Sequence, residues 1–371
     1  MNFRLIFIKI MLYVNALSII ILFLSAYSYF INAGEFWYIA SLALALPIIL
    51  LINILFIFFW LAIKRMYLKY SLISIILCLP VALKYFPFNK ESQFSYSKNV
   101  NTIRVLTWNV GLMNLLAKDT TEAIIKNLEI LDAIKNSNAD IVCLQEFLTS
   151  KVPDGHYNFM DSISRTMGYK YRFFSNDNGV KEDFFFSGSI IFSKYELSDF
   201  EKITYPGDFA GSVIAATITK NNNKFKVITS RLQSPGFKQN EYRVLNNLKR
   251  ADPDAIKGSK SLVRKLKNGY QNRNEQIRIV QKIISESNYP VIFTADLNDV
   301  PNSYAYRCIK GNLQDAWLKK GSGLGRTFSR ISPTLRIDYI FSDKKFNVLQ
   351  STRIINSGSD HYAVVTDLQP N

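Results

Sequence analysis

Cysteine and histidine are scarce in this sequence, whose 371 residues include three cysteines and two histidines. So few cysteines exclude a small disulfide-framed protein, and a chain of this length can bury a large core without them. Hydrophobic residues make up 48% of the chain, which excludes intrinsic disorder. Acidic residues are outnumbered, with 29 Asp and Glu against 45 Lys and Arg, for a formal net charge of +16. A charge of this sign favours polyanions or anionic surfaces as partners.

Three long apolar stretches lie in the first ninety residues, at about 11–31, 36–63 and 68–86. Each is close to the ~20 helical residues that cross a hydrocarbon core of ~30 Å, although the third is shorter and contains Pro80. We interpret them as three transmembrane helices and residues 1–87 as a membrane anchor. The alternative for the first stretch is a cleavable signal peptide. It is disfavoured because the run exceeds a signal peptide's apolar region and a longer run follows it.

The basic residues near these stretches predict the orientation of the anchor. Arg4 and Lys9 lie before the first stretch, and Lys64, Arg65 and Lys69 lie between the second and third. The connection between the first and second stretches carries only one charged residue, Glu35. Because Lys and Arg are enriched on the cytoplasmic side of membrane helices, the amino terminus should be cytoplasmic. Three crossings then place the rest of the chain on the far side. In a double-membraned bacterium this predicts a multi-pass inner-membrane protein with a periplasmic domain.

The remainder of the chain reads as a polar linker at 88–101 followed by a domain at 102–371. Helical spacing of apolar residues occurs after Thr120 and again at 274–287. Apolar strand-like segments alternate with these helices: IRVLTWNV, ADIVCLQEF, GSIIFSKY, SVIAATIT, FKVITSRL, PVIFTADLN, RIDYIFSD and AVVTDL. Many strands with few helices predict an α/β fold of two packed sheets with helices outside them.

Polar side chains fall where several of these strands end. Asn109, Glu146, Asp296 and Asn298 end predicted strands, and Asp360 with His361 directly precedes the last one. Taken singly, each is more often a turn-forming residue, since Asn and Asp are common in turns. As a set they indicate a reactive site at one sheet edge, because strand-end loops on a rigid scaffold hold such groups.

Five motifs in a fixed order carry a resemblance to a known family. The segments TWNVG, LQE, ADLND, RIDYIF and SDHY lie between residues 103 and 368. In this order they resemble the endonuclease/exonuclease/phosphatase superfamily, which has the fold of deoxyribonuclease I, abasic-site endonucleases, sphingomyelinases and inositol polyphosphate 5-phosphatases. The resemblance implies a four-layered α/β/β/α sandwich with its active site at one sheet edge. It is closest to membrane-anchored members from Bacteroidetes-like bacteria.

The resemblance also implies a divalent metal site. Glu146, in the LQE motif, matches the metal-binding carboxylate, Asn109 would help to hold metal and phosphate, and Asp360 would contact the metal or a second ion. A phosphodiester repels a hydroxide nucleophile, so a cation is needed to neutralise the developing charge. Oxygen ligands favour Mg²⁺ or Mn²⁺, whereas zinc bound by His and Cys is disfavoured because His156 and His361 are the only histidines.

The remaining motif positions match the family's proton-transfer residues. Asp296 resembles the general base that deprotonates the attacking water, and Asn298 would fix that water or a phosphate oxygen. His361 would lie across the phosphate and donate to a phosphoryl oxygen or the leaving group. Asp338, in the middle of the RIDYIF strand, resembles the carboxylate that accepts the other imidazole proton.

One position departs from the family pattern. Many hydrolytic members carry a second histidine in an N-x-H-L strand, where this chain has Arg231 in Thr-Ser-Arg-Leu. The guanidinium can bind phosphate oxygens, but it cannot act as a neutral acid or base. The sequence thus predicts a membrane-anchored, Mg-dependent phosphodiesterase, with a weakly active or non-catalytic phosphate-binding module as the alternative.

The substrate stays open at this point between nucleic acid and a phospholipid headgroup. A basic segment at 239–273 suits either polyanion, and an ordinary solvated helix face is an equal alternative for it. No protein partner is implied.

Overall fold

The computed structural model describes residues 3–90, 93–99, 101–151, 157–180, 185–207, 211–236 and 255–371. His156 and the part of the basic segment before residue 255 lie outside the described residues.

The described chain begins with an N-terminal bundle of apolar helices. Its helices are α1 (Phe3–Tyr27), α2 (Trp37–Ala40), α3 (Leu46–Ile63) and α4 (Leu68–Ala82), with 3-10 turns at Ser28–Phe30, Ser41–Ala45 and Arg65–Tyr67. By length and composition three stretches are candidate membrane spans: Phe3–Phe30, Trp37–Ile63 and Arg65–Ala82. The first helix begins earlier than predicted, so Arg4 and Lys9 lie inside it. Their long side chains allow this, because the charged ends can extend towards water.

Polar side chains hold the interior of the N-terminal bundle together. Asn15 Nδ2 donates to Ser71 Oγ at 2.8 Å, and Trp60 Nε1 donates to Asn15 Oδ1 at 2.8 Å. Asn15 and Trp60 are buried, so these bonds join three helices. The outward surface is apolar, and only 22 to 28% of each candidate span is buried within the chain. A helix that is apolar all round needs an apolar environment, which a bilayer supplies.

The strands that follow number thirteen among the described residues. They are β1 (Ile103–Asn109), β2 (Ile141–Ser150), β3 (Tyr171–Phe174), β4 (Asn178–Val180), β5 (Phe185–Ser193), β6 (Glu196–Thr204), β7 (Ser212–Lys220), β8 (Asn223–Arg231), β9 (Val291–Asp296), β10 (Gln314–Asp315), β11 (Asp338–Ser342), β12 (Phe346–Ile354) and β13 (Ala363–Pro370). The helices beside them are α5 (Thr120–Ser137), α6 (Phe159–Met167), α7 (Ala255–Ser285), α8 (Tyr304–Lys310) and α9 (Ala316–Lys320).

Two mixed sheets form from these strands. The first has the order β12-β13-β1-β2-β5-β3, with β4 paired to β5, and the second has the order β10-β11-β9-β8-β7-β6. Each sheet contains one parallel pair near its middle, β1 with β2 and β8 with β9. In a parallel pair both strands end at the same edge, so each sheet brings two strand ends together.

Apolar residues explain how the layers pack. Ile103 and Cys143 of the first sheet share a buried cluster with Ile214 and Ile292 of the second. The outer face of the first sheet is covered by α5 and α6, and that of the second sheet by α7 and α8. The predicted α/β/β/α sandwich preceded by three apolar helices is confirmed.

Several element predictions need correction. The strand predicted to end at Glu146 continues to Ser150, and the helix predicted at 274–287 is the last part of α7, which has 31 residues. Strands β3, β4, β6, β10 and β12 were not predicted. Edge strand β6 shows why, because its sequence ELSDFEKIT is largely exposed and lacks an apolar run. Exposed edge strands carry the weakest hydrophobic signal.

The predicted linker contacts the sandwich in its described parts. Asn89 Nδ2 donates to the carbonyl oxygens of Leu318 and Gly321 at 3.1 and 2.9 Å. Ser95 N donates to Gln350 Oε1 at 2.9 Å. The described residues around Asn89 and Ser95 thus contact the domain surface.

Candidate active site

The predicted site residues other than Asp360 form one connected group at an edge of the sandwich. Each comes from a strand end, a strand start or a bulge: Asn109 ends β1, Glu146 lies in β2, Arg231 ends β8, Asp296 ends β9 with Asn298 after it, Asp338 begins β11, and His361 precedes β13. Asp338 was predicted in mid-strand. It is the first residue of β11 and pairs directly across from Asp296 of β9.

Asn109 joins the two sheets at this edge. Its Nδ2 donates to Glu146 Oε1 and to Asp296 Oδ2, both at 3.0 Å. Its Oδ1 accepts from Gly111 N at 3.1 Å, and Gly111 adopts a φ of 53°, which glycine tolerates without strain. Asn109 is buried, so its amide fixes the separation of the two carboxylates.

A β-bulge directs Glu146 into the site. The register of β2 against β5 shifts between Leu144 and Phe147, and Glu146 adopts a φ of 47°. Bulges of this kind re-aim a side chain. The preceding Gln145 points between the sheets, where its Nε2 donates to Thr107 Oγ1 and Thr229 Oγ1 at 3.0 and 2.9 Å. The alternation of apolar residues in the sequence could not predict this bulge.

Asp296 is fully buried beneath the site. Its Oδ1 accepts from Asn298 N at 2.9 Å, and its Oδ2 accepts from Asn298 Nδ2 at 3.1 Å. Asn298 can make both bonds because it adopts a φ of 50°, a conformation that asparagine tolerates. Burial and the neighbouring Asp338 carboxylate raise the pKa of Asp296. A carboxylate with a raised pKa is a stronger base.

His361 and Asp338 form a buried pair. Nδ1 of the imidazole lies 2.9 Å from Asp338 Oδ2, and the backbone oxygen of His361 accepts from Trp108 Nε1 at 2.8 Å. Burial lowers the pKa of His361, but the Asp338 and Asp296 carboxylates outweigh burial and raise the pKa to about 10. The imidazole is therefore protonated at neutral pH and can donate through Nε2.

Arg231 stands opposite Asp296 across the parallel β8 and β9 pair. Its Nε lies 2.7 Å from Glu146 Oε1 and 3.9 Å from Asp296 Oδ2. Burial raises the pKa of Glu146, but Arg231, Asn109 and His361 together lower it below the ordinary value. Glu146 is therefore ionised at neutral pH, as a carboxylate must be to bind a cation.

Asp360 adjoins the group but forms an ion pair outside it, and its charge also raises the pKa of His361. Its Oδ2 forms an ion pair with Arg330 Nε at 3.1 Å. Its backbone oxygen accepts from Ser329 N at 2.8 Å. Its role as a metal ligand stays a prediction, because the carboxylate would have to leave Arg330 to join Glu146.

Two places among the described residues could bind a cation. One is the Glu146 carboxylate, beside which Asn109 presents its Nδ2, so the Asn109 amide would have to turn over to offer its oxygen as a second ligand. The other is the buried group of Asp296, Asp338 and His361, whose ligand atoms lie within 4.8 Å of one another. In the second group Nδ1 of the histidine is already bonded to Asp338, and the Asp296 and Asp338 side chains are almost wholly buried. Glu146 is 25% exposed beside an open cleft, which provides an entry path. The oxygen donors there fit a hard divalent ion.

The cleft continues from Glu146 and Arg231 to a polar pocket of about 160 Å³. Asp177 lines this pocket together with Ser189 and Ser212. Asp177 Oδ1 accepts from Ser212 Oγ at 2.7 Å and lies 3.1 Å from Lys202 Nζ. The pocket thus offers hydroxyl and carboxylate groups next to the proposed phosphate position.

Two supporting residues were not identified from the sequence. Thr327 Oγ1 accepts from the backbone nitrogens of Ile337 and Asp338 at 2.9 and 3.0 Å, which fixes Asp338 at the start of its strand. Ser359 Oγ accepts from His361 N at 3.1 Å and donates to Asn109 O at 2.7 Å. Ser359 is the first residue of the SDHY motif, so a signal for it was present. Thr327 lies in a loop and carries none.

Solved structures of known proteins share this fold. Three solved structures illustrate the similarity. They are an endonuclease/exonuclease/phosphatase from Beutenbergia cavernae (20% identity, TM-score 0.52, 73% of this chain and 72% of that one), the human Nocturnin catalytic domain with bound sulfate anion (20%, 0.51, 73% and 94%), and a humanized D. rerio TDP2 (19%, 0.50, 72% and 99%). At these identities the similarity establishes the fold.

No curated protein matches the chain. Residues 8–85 match a domain of unknown function, DUF8431, which coincides with the N-terminal bundle. Residues 106–361 match the Endonuclease/Exonuclease/phosphatase family. Since this match covers more than half of the chain and agrees with the motifs and the fold, the protein belongs to the Endonuclease/Exonuclease/phosphatase family.

Proposed function

We propose that the protein is a membrane-anchored, Mg²⁺- or Mn²⁺-dependent phosphodiesterase. The observation that carries this proposal is the group formed by Asn109, Glu146, Asp296 and the His361–Asp338 pair, which sets a base, an acid and a cation ligand around one position. The activities in the family's name act on phosphate esters. A non-catalytic binding module would need no buried base with a raised pKa.

The proposed reaction is the in-line attack of water on phosphorus. Asp296 accepts a proton from the attacking water while the oxygen of that water bonds to phosphorus. Asn298 holds Asp296 in place. His361 donates a proton to the leaving oxygen as the P–O ester bond breaks, which yields a phosphomonoester and an alcohol. Arg231 binds a non-bridging phosphate oxygen. Glu146 and Asn109 would hold the divalent cation, which neutralises charge on the phosphate.

We further propose residues 1–87 as a membrane anchor, 88–101 as its linker and 102–371 as the catalytic domain. The apolar outer surface of the bundle supports the anchor. The domain packs against the bundle end opposite Arg4, Lys9 and the Lys64–Lys69 turn. That arrangement supports an extracytoplasmic domain, which would be periplasmic on the inner membrane of a double-membraned bacterium.

Hydrolysis of bis(p-nitrophenyl) phosphate by the purified full-length chain in detergent tests the activity. We expect Mg²⁺-dependent release of nitrophenol that EDTA stops and added Mg²⁺ restores. Turnover that EDTA leaves unchanged would contradict metal dependence. Absence of turnover on diesters and monoesters would favour the binding module.

Arg231→His tests whether the departure from the family pattern has a function. Because Arg231 supplies a permanent charge next to Glu146, we expect kcat/KM for the diester to fall about tenfold or more, mainly through KM. The measurement is initial rate against substrate concentration at saturating Mg²⁺. Arg165→His, which changes the same residue type on the exposed face of α6, is the matched control. A rise in kcat for the Arg231 variant would instead show that the arginine impairs catalysis.

The pH profile should depend on Asp338. In the wild type, His361 keeps its proton as pH rises until its pKa of about 10, so the rate should hold across neutral and mildly alkaline pH. Asp338→Asn removes the carboxylate that raises the pKa, so the proton is lost at lower pH and the rate should fall as pH rises above neutrality. The measurement is kcat/KM from pH 5 to 10, with Asp343→Asn as the control. Identical alkaline limbs would contradict His361 as the acid.

A further inference from the structure

One end of the N-terminal bundle, called its outer end, packs directly on the loops that carry the active site. Apolar residues from the two parts form one buried cluster. The bundle contributes the ends of three helices, and the domain contributes Val300, Phe328, Leu335 and Ile337. Val300 follows Asn298 by two residues, and Ile337 directly precedes Asp338. The contact therefore involves the backbone that positions the proposed catalytic groups.

Phe328 connects this cluster to the proposed acid. Its ring centroid lies 4.9 Å from that of His361, and the two residues form an isolated β-bridge. Phe328 is 9% exposed and also belongs to the cluster with the bundle. A single aromatic side chain thus separates the imidazole from the bundle.

Two buried hydrogen bonds through Asn302, together called the latch, fix the same contact. Tyr85 OH donates to Asn302 Oδ1 at 2.5 Å, and Asn302 Nδ2 donates to Ser25 O at 3.1 Å. Tyr85 and Asn302 are fully buried. Asn302 lies four positions after Asn298, a distance of at most about 14 Å even in an extended chain. The proposed site is therefore held within a short, fixed distance of the bundle.

Aromatic side chains lie at the same end of the bundle as Tyr85. They cluster at the outer ends of the candidate spans, where several are exposed to the surroundings: Phe30, Phe36, Tyr38 and Phe86. Aromatic rings are enriched at both membrane–water interfaces. The headgroup region accounts for about 5 to 7 Å on each side of the hydrocarbon core. The latch residue Tyr85 directly precedes Phe86, so with the bundle in a bilayer the loops of the site would lie at headgroup level.

A basic helix face continues this surface. Leu266 and Tyr270 of α7 pack with Trp37 and Ala40 of α2, at the start of the second candidate span. The neighbouring turns of α7 expose three basic side chains, Lys260, Arg264 and Lys267. Basic residues beside a membrane attract anionic lipid headgroups.

From these contacts we propose that the substrate is a membrane lipid with a phosphodiester headgroup, taken from the bilayer that holds the bundle. This inference rests on the proposed phosphodiesterase function. Water adds its oxygen to phosphorus, one P–O ester bond breaks, and the leaving alkoxide takes the proton from His361. The polar pocket beside Asp177 and Ser212 would take the headgroup. A soluble polymer requires no fixed distance to the bilayer, whereas a lipid phosphate requires the site at this height.

Reconstitution of the full-length chain in vesicles of phosphatidylcholine and phosphatidylglycerol tests the proposal. We expect Mg²⁺-dependent cleavage of lipid in the same bilayer, measured by phosphorus NMR. The rate should fall when a phosphate-free glycolipid dilutes the phospholipid. Cleavage of bis(p-nitrophenyl) phosphate or a single-stranded oligonucleotide with the vesicle lipid intact would overturn the lipid substrate and leave the phosphodiesterase intact. Cleavage of none of them would contradict the phosphodiesterase itself.

Tyr85→Ala provides the matched variant, because it removes the latch without touching the catalytic group. We expect lipid turnover to fall at least about tenfold while the rate on the soluble diester stays within about twofold, which also shows that the site remains folded. Tyr27→Ala is the control, since Tyr27 OH bonds only within the bundle, to Leu77 O at 2.9 Å. Equal losses on both substrates, or no loss on lipid, would overturn the proposal.

Discussion

Asp296→Asn should reduce hydrolysis of the soluble diester by about 10² to 10⁴-fold, the usual contribution of general-base catalysis. The amide has nearly the shape of the carboxylate but cannot accept a proton from water. Asp296 is the buried carboxylate that lies between Asn109 and Asn298, with a pKa raised by burial and by Asp338. The loss should appear in kcat, because the base acts in the transition state.

Thermal unfolding distinguishes this loss from misfolding. Because the raised pKa means that ionised Asp296 is unfavourable in the folded protein, stability contributed by this group decreases as pH rises through its titration. The neutral amide avoids that cost, which offsets the weakened bonds from Asn109 and Asn298. We expect a Tm within about 4 °C of the wild type at neutral pH. Asp132→Asn on the exposed face of α5 is the control. Full activity in Asp296→Asn would exclude it as the base.

The sequence indicated which residues meet, because each motif ends or begins an apolar strand. Asn109 and Asp296 terminate strands β1 and β9, and both strands lie in the middle of their sheets with parallel neighbours. Strand-end side chains of central parallel pairs must lie at one edge. The position of the group was therefore predictable from strand order once the family resemblance fixed the fold.

The orientation of individual side chains was not predictable. Glu146 depends on a bulge in which two residues of β2 oppose one of β5, and regular alternation would have turned it to the other face. Asp360 looked equivalent to its neighbour His361 in the sequence, yet it forms an ion pair with Arg330. These outcomes depend on long-range pairing, which adjacent residues do not encode.

The docking of the N-terminal bundle on the site was also hidden in the sequence. Val300, Phe328 and Leu335 are isolated apolar residues in loops, and single residues of this kind carry no periodic signal. Only the folded chain shows that they join one cluster with the helix ends. The apolar helices were conspicuous in the sequence, whereas the polar latch between Tyr85 and Asn302 spans 217 positions.

Glu146→Gln should produce the second large effect, a fall in kcat/KM of about 10²-fold or more at any given Mg²⁺ concentration. Charge stabilisation by a metal contributes several kcal/mol to a transition state, and each 1.4 kcal/mol is a factor of ten. The amide keeps an oxygen ligand but loses the negative charge, and it also leaves Arg231 without the carboxylate that lies 2.7 Å from its Nε. The Mg²⁺ concentration for half-maximal rate should therefore rise as well.

A measurement independent of turnover separates metal binding from catalysis. A cation that binds only the folded state raises Tm with increasing concentration, so Mg²⁺ should stabilise the wild type and Glu286→Gln, the exposed control on the chain segment after α7. The same titration should raise the Tm of Glu146→Gln less, and only at higher Mg²⁺ concentrations. If Mg²⁺ raised the Tm of Glu146→Gln as it does for the wild type, the cation would bind elsewhere. The buried group of Asp296, Asp338 and His361 would then be the candidate site, since its ligand atoms lie within 4.8 Å of one another.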